Sequence, residues 1–386
     1  MEHSNLPLSG LRVVDFSRVL AGPFCTALLG DLGAEVVKIE PPQGDDYRAI
    51  GPMVEGESAL FTAMNRNKKS VVLDLKNEHG LQLARALVEK ADVVVENFRP
   101  GVAEKLGIGY QALSELNPSL IYASISGFGQ SGPESHRPAY DIILQAMTGL
   151  MDATGFADGP PTMVGEAVAD VVSGLFGSWG ILVALLARAK SGRGTHVDIA
   201  MFDATLSLAA TLVSRYALTG IVPQRVGNRH PISAPFGAYR ARDGFYVVAV
   251  LNDKLFAGFA AAIGRPDLAA DPRFATDELR SLHETLLREA IEAWSQALSI
   301  EQVNQRLSAA AIPVAPIWNV SDALESAQSL ARKLLTPLND SPLPGVRLPS
   351  QPIKFSAFGD NRVTRAPQLG EHSVQIFQDW LGMDVS

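Results

Sequence analysis

Among the carboxylates of this 386-residue chain, Asp170 stands apart. It sits in GEAVADVVSGLFG, with apolar and small residues on both sides. Such a carboxylate is open to a bulky electrophile, and carboxylates serve as covalent nucleophiles. The plainer reading is an acid that complements the start of a helix. Both readings stay open on the residues alone. A second group with possible chemistry is basic. Arg66, Lys68, Lys69, Lys76, Arg99 and Lys105 fall near strand ends, where ligands of open α/β sheets bind. A phosphate-bearing ligand has use for them; a solvated basic edge is the alternative. The single cysteine, Cys25, lies inside an apolar helical pattern and reads as core packing. It excludes an intrachain disulfide and a Cys-cluster metal site, and the seven His show no HxxxH or HExxH spacing. No metal site is expected.

The elements that must position these residues alternate in type. LRVVDF (11–16), AEVVKIE (34–40), KKSVVLDL (68–75), ADVVVENF (91–98), SLIYASISGFG (119–129) and HVDIAM (196–201) read as strands. Helices are expected over 22–33, 80–90, around 102–106, near 110–116, and over about 142–151, 168–190 and 202–219. Strand–helix alternation favours a parallel sheet with helices on its faces, and the runs VVL and VVV suit strands buried on both sides. The first turn, SRVLAGPF, lacks GxGxxG, and no P-loop follows. The sheet is therefore expected to be Rossmann-like without a nicotinamide or ATP site. Residues 222–244, rich in Pro, Gly and Arg, read as a linker or working loop. FYVVAVL (245–251) reads as a strand, helices fill roughly 253–310, and the proline-rich 336–352 reads as an extended return.

Composition narrows the class. Hydrophobic residues make up 47%, a globular share, while charged residues are 19%, below the usual quarter or so. Much surface is therefore expected to be buried, within the chain or against a partner. Lys+Arg total 33 and Asp+Glu 41, a net charge of −8, which argues against nucleic-acid binding. The N-terminus has no signal-peptide pattern. The apolar run Val171–Ala187 is shorter than the ~20 residues of a spanning helix and reads as a buried helix. A cytoplasmic protein with no membrane role is the expectation.

The segments LRVVDFSRVLAGPFCTALLGDLGAEVVKIEPP, NRNKKSVVLDLK, VENFRPG, SISGFGQSGP, GEAVADVVSG, SGRGTHVDIAMFDA and RAPQLGEHS, in this order, resemble the class III CoA-transferase family, which includes formyl-CoA transferase, carnitine-linked CoA-transferases and α-methylacyl-CoA racemase. The resemblance runs from about residue 6 to 382. It implies an α/β fold: a Rossmann-like large domain with a parallel sheet, plus a smaller α+β domain, in an interlaced homodimer. The divisions expected are 1–221 and 331–386 for the large CoA-binding domain, with 222–330 as the small one. It implies Asp170 as the catalytic carboxylate, passing through an aspartyl anhydride and an aspartyl-CoA thioester. Coenzyme A contacts carried over by motif are Val19, Leu20, Leu73, Asp74, Leu75, Lys76, Asn97, Phe98, Arg99, Lys105, Tyr140 and Asp141. Arg99 and Lys105 would meet phosphates. Pro41 stands where formyl-CoA transferases often carry a basic residue, which puts one nucleotide contact in doubt.

The resemblance implies CoA or acyl-CoA as substrate and no permanently bound cofactor. The racemase-like members carry a His where this chain has Tyr140, and a tyrosine is a poor base at neutral pH. A transferase is therefore favoured over a racemase. A non-catalytic acyl-CoA-binding relative is a further alternative, which the presence of Asp170 disfavours. The chain lacks the glycine run of formyl-CoA transferases, which points away from formate–oxalate exchange, while oxalate with another donor stays open. The pattern looks more like members acting on short dicarboxylates. Arg48, Arg229 and His230 are candidates for a distal carboxylate.

Overall fold

A computed structural model describes residues 6–340, 345–349, 351–359 and 363–384. The chain forms two compact units, one of residues 1–150, 163–221 and 327–386, the other of residues 151–162 and 222–326.

The larger unit is built on a six-stranded sheet. Its strands are β1 (Arg12–Asp15), β2 (Glu35–Glu40), β3 (Lys68–Val72), β4 (Val93–Glu96), β5 (Ile121–Ser126) and β6 (Thr195–Ala200). They lie in the order 3-2-1-4-5-6, and every pairing is parallel. That order reverses direction between β1 and β4, the topological switch point at which doubly wound sheets bind ligands. The strands are short and β-branched, and they bury both faces. Val13 packs toward α1 (Ala21–Asp31) and α4 (Val168–Ser191), while Val14 packs toward α2 (Glu78–Glu89) and the C-terminal helix Ser373–Leu381. The RAPQLGEHS segment closes the edge strand. Gly370 N–H donates to Ser70 Oγ at 2.9 Å, and Val72 N–H donates to Ser373 Oγ at 3.3 Å.

Between β5 and β6 come α3 (Asp141–Met147) and α4, and β6 leads into α5 (Met201–Leu208). Helix α4 crosses α1 through glycine. A Cβ at Gly174 would stand 2.8 Å from the Ala21 carbonyl oxygen, and one at Gly177 would stand 3.1 Å from Cys25 Sγ. Helix propensity is sacrificed there for close backbone approach. Only one side of α4 is covered. Leu175, Trp179, Val183 and Leu186 form an exposed apolar stripe, so the expectation of a buried helix holds on one face alone. At 24 residues α4 is long and apolar enough to cross a membrane by length and composition.

The smaller unit carries an antiparallel sheet of β7 (Phe236–Ala241), β8 (Gly244–Ala249) and β9 (Val314–Pro316), in the order 9-8-7. Helices Asp253–Ala262, Glu284–Ser295 and Ile300–Ala309 pack with it around Tyr239, Tyr246, Phe259 and Ile291. β7 falls inside the stretch read as a loop. Gly237 and Arg240 mask its alternation, but Ala238, Tyr239 and Ala241 are buried and β8 supplies the ladder. The return segment forms β10 (Leu335–Asn339), β11 (Arg347–Pro349) and β12 (Val363–Thr364).

Candidate active site

Asp170 stands in the first turn of α4. Its neighbour Ala169 is buried and donates its N–H to Asp141 Oδ1 at 2.7 Å. Asp141 Oδ2 accepts from Gln145 Nε2 at 2.7 Å, and Gln145 Oε1 accepts the Val164 N–H at 2.9 Å. The α3 start thus caps α4 from outside, since α4 has no side-chain cap of its own. Asp170 is half-buried and forms no ion pair among the described residues. Burial, and secondarily the Asp141 charge, push its pKa up to about 7. A carboxylate left this unsolvated is more nucleophilic than one in water.

Asp170 lines a cavity of about 120 Å³. Three loops beyond the carboxyl ends of β1, β4 and β5 close the rest of its wall: Arg18–Ala21, Asn97–Pro100 and Ile125–Gly127, joined by Ser135, Arg137, Ala139, Tyr140 and Met201. This is the switch point of the sheet. The first turn of α1 opens onto the cavity with no side-chain cap and no acidic residue, so its N–H groups favour an anion there.

Of the residues singled out in the sequence, Val19, Leu20, Asn97, Phe98, Arg99, Tyr140 and Asp170 meet at this cavity. Asp141 lies behind it as the cap. Leu73, Asp74, Leu75 and Lys76 follow β3 outside the wall, and the Lys76 N–H donates to Asp74 Oδ1 at 3.0 Å. Lys105 ends the short helix Val102–Lys105. Lys76, Arg99 and Lys105 are exposed, with no ion-pair partner among the described residues.

The other cations are already committed. Arg66 pairs with Asp31 at 2.7 Å, Lys68 with Asp15 at 3.0 Å and Lys69 with Glu35 at 2.7 Å. Arg66, Lys68 and Lys69 therefore do not form the free phosphate-binding edge their spacing suggested. Lys68 is fully buried, and burial pulls its pKa down to about 8 in spite of Asp15. Arg48 holds Glu40 through two 2.7 Å hydrogen bonds and stacks over Phe61. Arg229 and His230 belong to the smaller unit, where Arg229 lies 3.9 Å from Glu284 and His230 stacks on Phe236. Burial, then the Asp15 charge, raise the Cys25 thiol far above its usual range, consistent with core packing.

Sequence reasoning passed over Arg18, Ser135 and Arg137 on the cavity wall. Arg18 is legible in hindsight as the neighbour of Val19. Arg137 precedes the PAYD segment, three residues after its partner Glu134 at 3.0 Å. Also missed is Tyr47, a half-buried phenol whose pKa is raised by burial and then by the charges of Asp170, Asp45, Asp141 and Glu166. The cavity wall therefore mixes apolar residues with Arg18, Asn97, Arg99, Ser135 and Arg137, and Asp170 is the carboxylate on it.

Fold and site together define a CoA-transferase, and the chain belongs to CoA-transferase family III, which it matches over residues 8–373. It is 44% identical over 380 residues to acetyl-CoA:oxalate CoA-transferase of Acetobacter aceti, covering 97% of this chain and 96% of that one. It is 37% identical to succinyl-CoA–D-citramalate CoA-transferase of Chloroflexus aurantiacus, covering 98% and 94%. The crystal structure of a CAIB/BAIF family protein from Brucella suis superposes with a TM-score of 0.87 at 38% identity, covering 98% of this chain and 100% of that one.

Proposed function

We propose that Asp170 is the nucleophile of a transfer between a short acyl-CoA and a short dicarboxylic acid. The carrying observation is its half-buried carboxyl, without an ion-pair partner among the described residues, on the wall of the switch-point cavity. One carboxylate oxygen attacks the thioester carbonyl, the C–S bond breaks, and CoA leaves as thiolate with a mixed anhydride left on Asp170. The thiolate then attacks the aspartyl carbonyl and releases the donor acid, leaving an aspartyl-CoA thioester. The acceptor carboxylate attacks that thioester, and the thiolate attacks the resulting acyl anhydride. Each step exchanges one acyl bond for another, so no external energy source is consumed. The uncapped first turn of α1 supports the oxyanion of each tetrahedral intermediate. Water displaced from the small cavity by the bound acyl groups limits hydrolysis of the anhydride.

Coenzyme A lies across the ends of β1, β3 and β4 in this reading. Val19, Leu20, Asn97, Phe98, Tyr140 and Asp141 surround the thioester end, and Leu73, Asp74, Leu75 and Lys76 hold the nucleotide. Arg99, Lys105 and Lys76, exposed and unpaired, meet the phosphates. The larger domain, expected over 1–221 with 331–386, carries this machinery. Arg48 enters the acid-binding role only if Glu40 releases it. The exposed stripe on α4 supports a homodimer, for which the interlaced arrangement is our reading. The enzyme works in the cytoplasm without a resident cofactor. The relatives named for oxalate and D-citramalate support a short dicarboxylate as acceptor. A racemase is disfavoured because no histidine lines the cavity among the described residues.

The test is a matrix of acetyl-CoA and succinyl-CoA against formate, oxalate, succinate, malate, glutarate and citramalate, read by mass spectrometry. Hydroxylamine added during turnover converts Asp170 to its hydroxamate if the acyl intermediate exists. Modification elsewhere, or full exchange by Asp170→Asn, overturns the assignment.

A further inference from the structure

The turn that walls the cavity is held in a conformation its residues do not prefer. Val19 has φ of 69°, the left-handed region, where a β-branched side chain is a genuine outlier. Such a residue is strained and persists only when its surroundings over-determine it. Here they do, residue by residue. The Ser17 carbonyl accepts from Lys38 Nζ at 2.7 Å. Arg18 is clamped by the Asn97 side chain, its N–H donating at 2.8 Å and its carbonyl accepting at 2.7 Å. The Val19 N–H donates to Asp45 Oδ1 at 3.2 Å.

Two of these three anchors are one ion pair. Lys38 Nζ lies 2.8 Å from Asp45 Oδ2, with the two side chains 0% and 1% exposed. Sealed from solvent, neither group can touch a ligand. A buried pair is also a weak source of stability, because an apolar pair of similar volume commonly serves as well. Its geometry is better matched to holding than to stabilising. The same Asp45 Oδ1 accepts the Tyr47 N–H at 3.0 Å, so one carboxylate fixes both the Val19 turn and the backbone that carries the phenol coupled to Asp170.

We propose that the Lys38–Asp45 pair is a positioning device for the transfer reaction: it locks Ser17–Val19 into the strained turn that shapes the cavity Asp170 lines. Asp45 and Lys38 are positioning residues, and they act through Val19 and Tyr47. The proposal rests on the assignment of Asp170 as the site of transfer.

The experiment uses the full-length enzyme and acetyl-CoA or succinyl-CoA, whichever the wild type turns over faster, with its preferred acid. Asp45→Asn keeps an acceptor of the same shape but loses the charge pairing. It is expected to fold, by melting temperature and circular dichroism, and to lose about tenfold to a hundredfold in kcat/KM. Adding Val19→Gly to Asp45→Asn recovers a large part of that loss, because glycine takes the left-handed conformation without being held. A merely structural role predicts no such rescue. Lys38→Met with Asp45→Leu replaces the pair by apolar groups and covers the case in which Asp45→Asn does not fold; it retains the melting temperature and loses the same activity. Wild-type kcat/KM in either variant, or no recovery on adding Val19→Gly, overturns the proposal. Asp170→Asn is assayed beside them. Full exchange there overturns the site itself, whereas an inactive Asp170→Asn with a fully active Asp45→Asn overturns only the positioning role.

Discussion

Asp141 accepts the Ala169 N–H at 2.7 Å, so the residue that opens α3 also closes the head of α4, one position before Asp170. Structure and electrostatics are joined there. The cap that anchors the helix is itself a carboxylate, and its charge helps to keep Asp170 hard to ionise.

Asp141→Asn keeps the cap in part and removes the charge. Asp141→Ala removes both and is expected to cost about 1 kcal/mol of stability. With the neighbouring charge gone, the pKa of Asp170 falls, and the acid limb of kcat/KM moves to lower pH in both variants. Urea unfolding and a pH–rate profile check the two effects separately. An unshifted limb would show that Asp141 does not act electrostatically.

The pH dependence of the wild type follows from the same carboxyl. Its pKa is raised from 3.8 to about 7, and in the proposed reaction the ionised form attacks. In the free enzyme, kcat/KM rises with pH through about 7 and then levels. Stability runs the other way. Between 3.8 and about 7 the folded chain binds more protons than the unfolded chain, so stability falls as pH rises across that window, and the penalty is complete above it. Asp170→Asn removes the penalty. At pH 8 the variant should be more stable by roughly 2 kcal/mol, discounted for partial exposure, with the advantage vanishing toward pH 4. Thermal melts at both pH values, beside the loss of exchange, make the comparison.

Lys76→Ala and Lys105→Ala should raise KM for acyl-CoA about three- to tenfold each with little change in kcat, because the phosphate contacts proposed for them, off the cavity wall, are made equally in ground and transition states. The penalty should shrink at high ionic strength. A fall in kcat at unchanged KM would place these residues at the reacting end.

Gly174→Ala tests the seam between α1 and α4. Its added Cβ would meet the Ala21 backbone at 2.8 Å, and backbone cannot swing aside. The gain in helix propensity is below about 1 kcal/mol, whereas overpacking costs about 1–3 kcal/mol. The variant should melt lower. A higher melting temperature would mean the seam is loose.

Much of the sheet was legible because its strands are short apolar runs between turn signals. VVD, VVV and IYASIS are buried on both faces, and nothing in them suggests helix. β7 was not legible, since Tyr239 alternates with Gly and Arg and its partner β8 supplies the ladder. Asp170 could be singled out by its neighbours in the chain. The fate of Lys68 could not, because Asp15, the partner that neutralises it, lies 53 residues earlier and meets it only when β3 and β1 join one sheet. Tyr47 was missed for the same reason. Nothing local to GDDYR points toward a carboxyl more than a hundred residues away. That Met151–Thr162 joins residues 222–326 in one unit likewise depends on contacts such as Arg225 with Asp152 at 3.0 Å, which no composition break announces.

The glycine seam carries one more consequence. Because Gly174 and Gly177 let α4 rest directly on α1, the helix bearing Asp170 and the helix that follows the Val19 turn meet backbone against side chain with no spare space. Side-chain volume cannot accumulate along the seam without prising the carboxyl away from the wall opposite. Sequence drift at these two positions is thus penalised in folding and, through the role proposed for Asp170, again in turnover.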